Sequence, residues 1–186
     1  MYSLMEMQPI RQLEKVLESL ADPEHYLFAN ADLQSAIPQH QGLTVLLCRA
    51  QKAGLLKRVC RGIYLYPRVK YPNGLVLFHA AARLRAGGLN YISLETALSD
   101  AGVISQVPIN WITLMSSGRS QVVECGDHGR IEFVHTTQLP EELAKELTYD
   151  AERRLWRASV RLALRDLKAT RRSKDLLDLE VARELI

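Results

Sequence analysis

The side chains in this sequence best suited to chemistry are cations and hydrogen-bonding amides, and many of them fall in a stretch without acids. From Leu33 to Leu94 there is no Asp or Glu, while Arg49, Lys52, Lys57, Arg58, Arg61, Arg68, Lys70, Arg83 and Arg85 all lie within it. That stretch carries +9, against a formal net charge of +3 for the 186 residues together. By contrast, residues 1–32 hold two basic and six acidic side chains. A field of one sign attracts a polyanion and is the footprint expected of nucleic-acid binding, a solvated basic surface being the plainer alternative. Gln39, His40, Gln41, Thr44, Arg49, Gln51, Lys52, Lys57, Arg58 and Arg61 are the candidate DNA-binding residues. Gln pairs bidentately with adenine and Arg with guanine, so Gln41, Arg49 and Gln51 are the expected base readers. Arg58 and Arg61 are expected on backbone phosphates or in the minor groove.

A second basic feature lies near the C-terminus. Arg154, Arg157, Arg161, Arg165, Lys168 and Arg172 recur every three or four residues, beside an apolar series of Trp156, Val160, Ala163, Leu164 and Leu167. At helical spacing this predicts one long helix from Asp150 to about Arg172, with a packed stripe and a positive rail. DNA or RNA phosphate, an acidic partner or plain solvent would each suit such a rail. Arg119, between Gly118 and Ser120, is a further candidate for a functional contact.

Catalysis is not expected. The sequence has no phosphate-binding loop, dinucleotide fingerprint, nucleophile elbow or H-E-x-x-H. The five histidines are dispersed, and Glu132 and His135 fall in a strand where residues three apart point to opposite faces. No metal or cofactor is expected either. Cys48, Cys60 and Cys125 are odd in number and unpaired in spacing, which suits reduced thiols in a cytoplasmic protein. No apolar run approaches the roughly 20 residues that span a bilayer, and the N-terminus lacks the pattern of a secretory signal.

Three short helices are expected to position the first basic set. Leu13, Val16, Leu17 and Leu20 form one apolar stripe over residues 10–20, closed by Asp22-Pro23. Asn30 can cap a second helix that Pro38 stops, and a third runs from about Gly42 to Ala53 with Gly54 as its left-handed terminator. Two β-prone runs, residues 55–59 and 63–66, flank Cys60-Arg61-Gly62 and signal a hairpin. A hairpin directly after a recognition helix is a wing, so residues 1–72 read as a winged helix-turn-helix DNA-binding domain. Pro67, Pro72, Asn73 and Gly74 mark its end.

Residues 73–186 are expected to form a small α/β domain, which makes the whole chain α+β. Its elements are helices over 75–86 and 93–101, a short antiparallel sheet from strands 111–116, 121–125 and 130–136, and C-terminal helices over 141–147, 150–172 and 176–186. Ser93 is the expected cap of the second of these helices.

Several segments resemble a known family. Gly54-Leu55-Leu56-Lys57-Arg58-Val59-Cys60-Arg61-Gly62-Ile63-Tyr64-Leu65 is similar to the wing of the AbiEi-type antitoxins and related regulators. The more specific match is Tyr91-Ile92-Ser93-Leu94-Glu95-Thr96-Ala97-Leu98-Ser99-Asp100-Ala101-Gly102-Val103-Ile104-Ser105-Gln106-Val107-Pro108. Residues 113–119 and 129–136 resemble the strand pair that follows in that family. The resemblance spans roughly residues 10–136. It implies the antitoxin of a type IV, abortive-infection system: a winged helix that represses its own promoter, and a C-terminal domain that counteracts a nucleotidyltransferase-like toxin. Such proteins continue further beyond the basic helix, so a shortened C-terminal domain is expected here. Two other readings stand beside this one, a toxin-neutralising interaction module and an RNA-binding regulator acting through the basic rail. Oligomeric state is not readable from the sequence.

Overall fold

Burial of the first apolar stripe sets the N-terminal third. In the computed structural model, which describes residues 9–37, 42–105 and 110–186, helix α1 (Pro9–Leu20) opens with a proline in its first turn and fully buries Leu13 and Leu17. It ends in a turn held by Asp22, whose Oδ1 accepts from the Glu24 and His25 N–H groups at 2.7 and 2.6 Å. Strand β1 (Leu27–Ala29) leads straight into α2 (Asn30–Ala36). Asn30 is therefore the first helical residue rather than the cap. Asp32, one turn in, accepts the Ala29 N–H at 2.7 Å and satisfies that helix end instead. Helix α3 (Leu43–Lys52) buries Leu46, Leu47 and Ala50. It stops where Gly54 adopts φ +70°, with the Leu55 and Leu56 N–H groups returning to the Ala50 carbonyl.

Strands β2 (Lys57–Cys60) and β3 (Ile63–Leu65) then form a tight hairpin through Gly62 at φ +85°. They join β1 in an antiparallel sheet of order β1-β3-β2. The Asn30 N–H donates to the Gly62 carbonyl at 3.0 Å, tying the hairpin tip to the start of α2. Leu13, Leu17, Phe28, Leu33, Leu46 and Leu56 lie in one apolar cluster, each side chain contributing about 1.5–3 kcal/mol by leaving water.

The chain divides after Gly74 into two compact units. The second begins with α4 (Val76–Leu84), followed by β4 (Asn90–Ile92), α5 (Leu94–Asp100), β5 (Trp111–Ser116), β6 (Gln121–Glu124) and β7 (Arg130–His135). Then come α6 (Pro140–Leu143), β8 (Leu147–Asp150), β9 (Leu155–Ala158), α7 (Val160–Ala169) and α8 (Leu179–Glu184). The fold class is α+β.

The expected short antiparallel sheet is instead a six-stranded mixed one, of order β6-β7-β5-β4-β9-β8. Its β5–β7 and β4–β9 pairs are parallel. Three strands of this sheet, β4, β8 and β9, are not expected from the sequence, and neither is β1 in the first unit. The long helix expected over 150–172 is a β-turn, a strand and a ten-residue helix, and the expected helix over 141–147 is four residues that lead into β8. Leu155 and Ala158 are the buried residues of β9, and their spacing of three fits a helix equally well. What decides the matter is Arg154 at φ +58°, which turns the chain, and Ser159, whose hydroxyl caps α7 by accepting the Leu162 N–H at 3.1 Å.

Candidate nucleic-acid interface

Helix α3 sorts its side chains by period. Leu46, Leu47 and Ala50 face the core, and Thr44, Val45, Cys48, Arg49 and Lys52 are exposed. Positions 44, 45, 48, 49 and 52 follow one another around a single helical face. Val45 is 56% exposed and was not among the expected residues. Its neighbours were singled out for polarity, yet an apolar side chain on such a face can contact a thymine methyl group. Gln51 departs from expectation, because it is half-buried and its Nε2 donates to the Leu47 carbonyl at 3.1 Å. A base-reading role would cost it that bond. Gln39, His40 and Gln41 lie outside the described residues.

The hairpin adds Lys57 and Arg58 on β2 and Arg61 at its tip, all exposed. A bulge between Arg58 and Cys60 shifts the register, and Arg58 Nε donates to the Cys60 carbonyl at 3.3 Å. Among the described residues, Arg49, Lys52, Lys57 and Arg61 have no carboxylate partner. Arg68 differs: it pairs with Glu14 and stands 3.7 Å from Glu18, and the Glu14 hydrogen bond holds its pKa above the usual guanidinium value. The acids of α1 thus neutralise Arg68 and leave the cations of α3 and the hairpin without a carboxylate partner among the described residues.

The last two cations of the acid-free stretch, Arg83 and Arg85, belong to the second unit. Arg85 is structural there. It donates to Ser116 Oγ at 3.3 Å and to the Arg119 carbonyl at 2.7 Å, and lies 4.5 Å over the Phe133 ring. Burial, then the charge of Arg119, lowers its pKa. Arg119 itself presents an exposed side chain.

The expected second basic rail does not exist as one stripe. Arg154 sits in the β8–β9 turn, Arg157 on β9, Arg161, Arg165 and Lys168 on α7, and Arg172 beyond its end. Three of the six are engaged within the unit. Arg161 bonds Glu146, whose pKa is held down by the Ser159 hydroxyl and then by Arg161. Arg165 donates to Gln138 Oε1 at 2.9 Å. Arg172 meets both oxygens of Glu95 at 2.8 and 2.9 Å and also Glu132. Burial alone would lower its pKa, but the two carboxylates outweigh that and raise it.

The segment 91–108 builds a buried polar network. Asp166, 1% exposed, accepts Tyr91 Oη at 3.0 Å and Ser93 Oγ at 2.8 Å on one oxygen and the Gln138 amide at 3.0 Å on the other. Ser93 therefore does not cap α5 with its hydroxyl. Leu94, next in the chain, is held fully buried at φ +55°, a strained value for a side chain of its size. Burial, then the neighbouring Asp166 charge, pushes the Tyr91 phenol far up. Thr96 and Thr113 exchange backbone-to-hydroxyl bonds at 3.1 and 2.7 Å and fasten α5 to β5. A cavity of about 350 Å³ opens beside Asp166 between His135, Gln138, Arg165 and Thr170, but Asp166, Gln138 and Arg165 satisfy one another along its wall.

Among the described residues no group of three or more His, Cys, Asp and Glu side chains could hold a metal ion, and no helix is long and apolar enough to cross a membrane. No protein-family model matches the sequence, and no curated protein is significantly similar to it.

Proposed function

We propose that this protein is a DNA-binding transcriptional repressor whose N-terminal unit is a winged helix-turn-helix. One observation carries the reading: the exposed face of α3, with Thr44, Val45, Arg49 and Lys52, is followed at once by a hairpin bearing Lys57, Arg58 and Arg61, and carboxylates are missing from both. In this reading α3 enters the major groove, where Arg49 and Val45 meet base edges, while the hairpin grips phosphate. The reading includes no catalytic step and no cofactor, and places the protein in the cytoplasm on its own promoter.

The resemblance of residues 10–136 to AbiEi-type antitoxins supports the finer form, an autorepressor and antitoxin of a type IV system directed against a nucleotidyltransferase-like toxin. In that form the second unit carries the antitoxin role. Fluorescence anisotropy with a duplex of the protein's own promoter and a scrambled duplex tests the DNA reading. Tighter binding to the promoter, with log affinity falling linearly against log salt, is expected. A flat salt plot, or equal affinity for both duplexes, overturns it.

A further inference from the structure

The six-stranded sheet of the second unit ends in β8, and the chemistry of that edge selects its own partner. Ser159 N–H donates to the Glu146 carbonyl at 2.8 Å, so in the antiparallel β8–β9 ladder residues 146, 148 and 150 bond inward. The N–H and C=O groups of Leu147 and Tyr149 then point away from β9, along the open edge. Their side chains share one face with Trp156, which lies opposite Tyr149. Tyr149 is 51% and Trp156 47% exposed, with ring centroids 5.3 Å apart in an edge-to-face pair. Leu147-Thr148-Tyr149 holds no proline and no charge, and the charges that guard this edge, Glu146 and Asp150, stand at its two ends.

We infer that this edge is a homodimer interface, in which β8 of one copy pairs antiparallel with β8 of a second about a two-fold axis at Thr148. An antiparallel edge is self-complementary under such an axis. The register places Leu147 opposite the partner's Tyr149 twice, giving four backbone hydrogen bonds and two aliphatic–aromatic pairs flanked by Trp156. Just outside the strand it sets Lys145 of one copy opposite the uncharged Ala151 of the other, so no like charges meet there. Glu146 and Asp150 do approach across the axis, where Arg161 neutralises Glu146, Arg153 is shared between Asp100 and Asp150, and Arg157 lies on the same face.

The opposite edge is a poorer fit. There Cys125 N–H bonds the Gly129 carbonyl at 2.8 Å, so Val122 and Glu124 point outward, and the same symmetry would set Val122 against a carboxylate twice. The dimer therefore selects β8 over β6. It does not depend on the DNA reading.

Sedimentation velocity over a concentration series tests it. The wild type should move from the 21.1 kDa chain toward twice that mass. Tyr149→Pro, which deletes an outward N–H, and Tyr149→Lys should both remain monomeric with unchanged circular dichroism, whereas Val122→Lys should dimerise like the wild type. A positive test covers the case in which both Tyr149 variants unfold. In a Cys48→Ser background, Thr148→Cys should cross-link to a covalent dimer under mild oxidation, because directly opposed residues of a non-hydrogen-bonded pair lie about 4.5 Å apart at Cα. Val122→Cys should not. A monomeric wild type at every concentration, a dimer that persists in both Tyr149 variants, or cross-linking through Val122→Cys but not Thr148→Cys overturns the proposal.

Discussion

Two sets of cations, one in each unit of this chain, are treated in opposite ways. In the first, Arg49, Lys52, Lys57 and Arg61 stand in solvent with no carboxylate among the described residues to meet them. In the second, Arg153 pairs with Asp100 and Asp150, Arg161 with Glu146, and Arg172 with Glu95 and Glu132. Charges of one sign left without partners repel one another, and an external anion can supply the counter-charge. Paired charges serve the fold. Cations thus stand free in one unit and brace the fold in the other, and the free set is the one on which the proposed DNA contact rests.

The strongest way to break this contrast is to remove the free charges. Replacing Arg49, Lys52, Lys57 and Arg61 together by Gln should lower affinity for the promoter duplex about a thousandfold near physiological salt, and reduce the log–log salt slope by roughly 2.7, one phosphate contact for each of Lys52, Lys57 and Arg61. Urea unfolding of the variant should stay within about 0.5 kcal/mol of the wild type, since none of the four is braced. An unchanged slope would dissolve the distinction between the units.

Next in size is the loss of Asp166, which leaves Tyr91, Ser93 and Gln138 without their common acceptor. Asp166→Ala should cost about 3 kcal/mol in urea unfolding of the second unit while promoter affinity measured below the transition is retained. Smaller still is the counterpart of the first variant. Changing Arg157, Arg161 and Arg165 to Gln should leave the salt slope as it is, and should alter stability by less than about 1 kcal/mol, because the Arg161–Glu146 pair is surface-exposed on its arginine side. A shallower slope would show that this surface touches DNA as well.

The smallest effect is a pH dependence confined to the second unit. Burial lowers the pKa of His79, the positive charge of Arg154 adding to it, and the ring Nε2 lies 2.7 Å from the Glu152 carbonyl. The unfolded chain therefore takes up the proton first. Stability should be full above the ordinary histidine value of 6.5 and decline as pH falls below it. Thermal melts between pH 7.5 and about pH 5 should show the drift in the wild type and lose it in His79→Gln.

Much of the first unit was legible because its elements carry their own punctuation. Pro9, Gly54 and Gly62 bound elements whose buried positions recur at one clear period. The face of α3 followed from that period, with two exceptions. Gln51 turns to its own helix, and Val45 is exposed although apolar. In the second unit the helices over 75–86 and 93–101 were legible as α4 and α5, and so were the strands bounded by turn residues. β5, β6 and β7 showed as β-prone runs, but β4 is three residues between Gly87-Gly88 and a helix, too short for any period to register. The rail failed for a related reason. Spacings of three and four among Arg154, Arg157, Arg161 and Arg165 are helical only if the backbone is, and Arg154 and Ser159 interrupt it. The partners that neutralise Arg161 and Arg172 lie 15 to 77 residues away in the chain, where local patterning carries no information.

The parallel pairing of β4 with β9 sets a timetable for the newborn chain. By the time Gly74 has cleared the ribosome, every described strand and helix of the first unit has been made. Tyr91 and Ile92, in contrast, must wait for Trp156 and Arg157, about 65 residues later. At roughly 5–20 residues per second that is an interval of roughly 3–13 s. Throughout it the middle of the future sheet has one flank open, and slow decoding between residues 92 and 156 lengthens the exposure. During synthesis the second unit is therefore the part whose unpaired strand stays exposed longest.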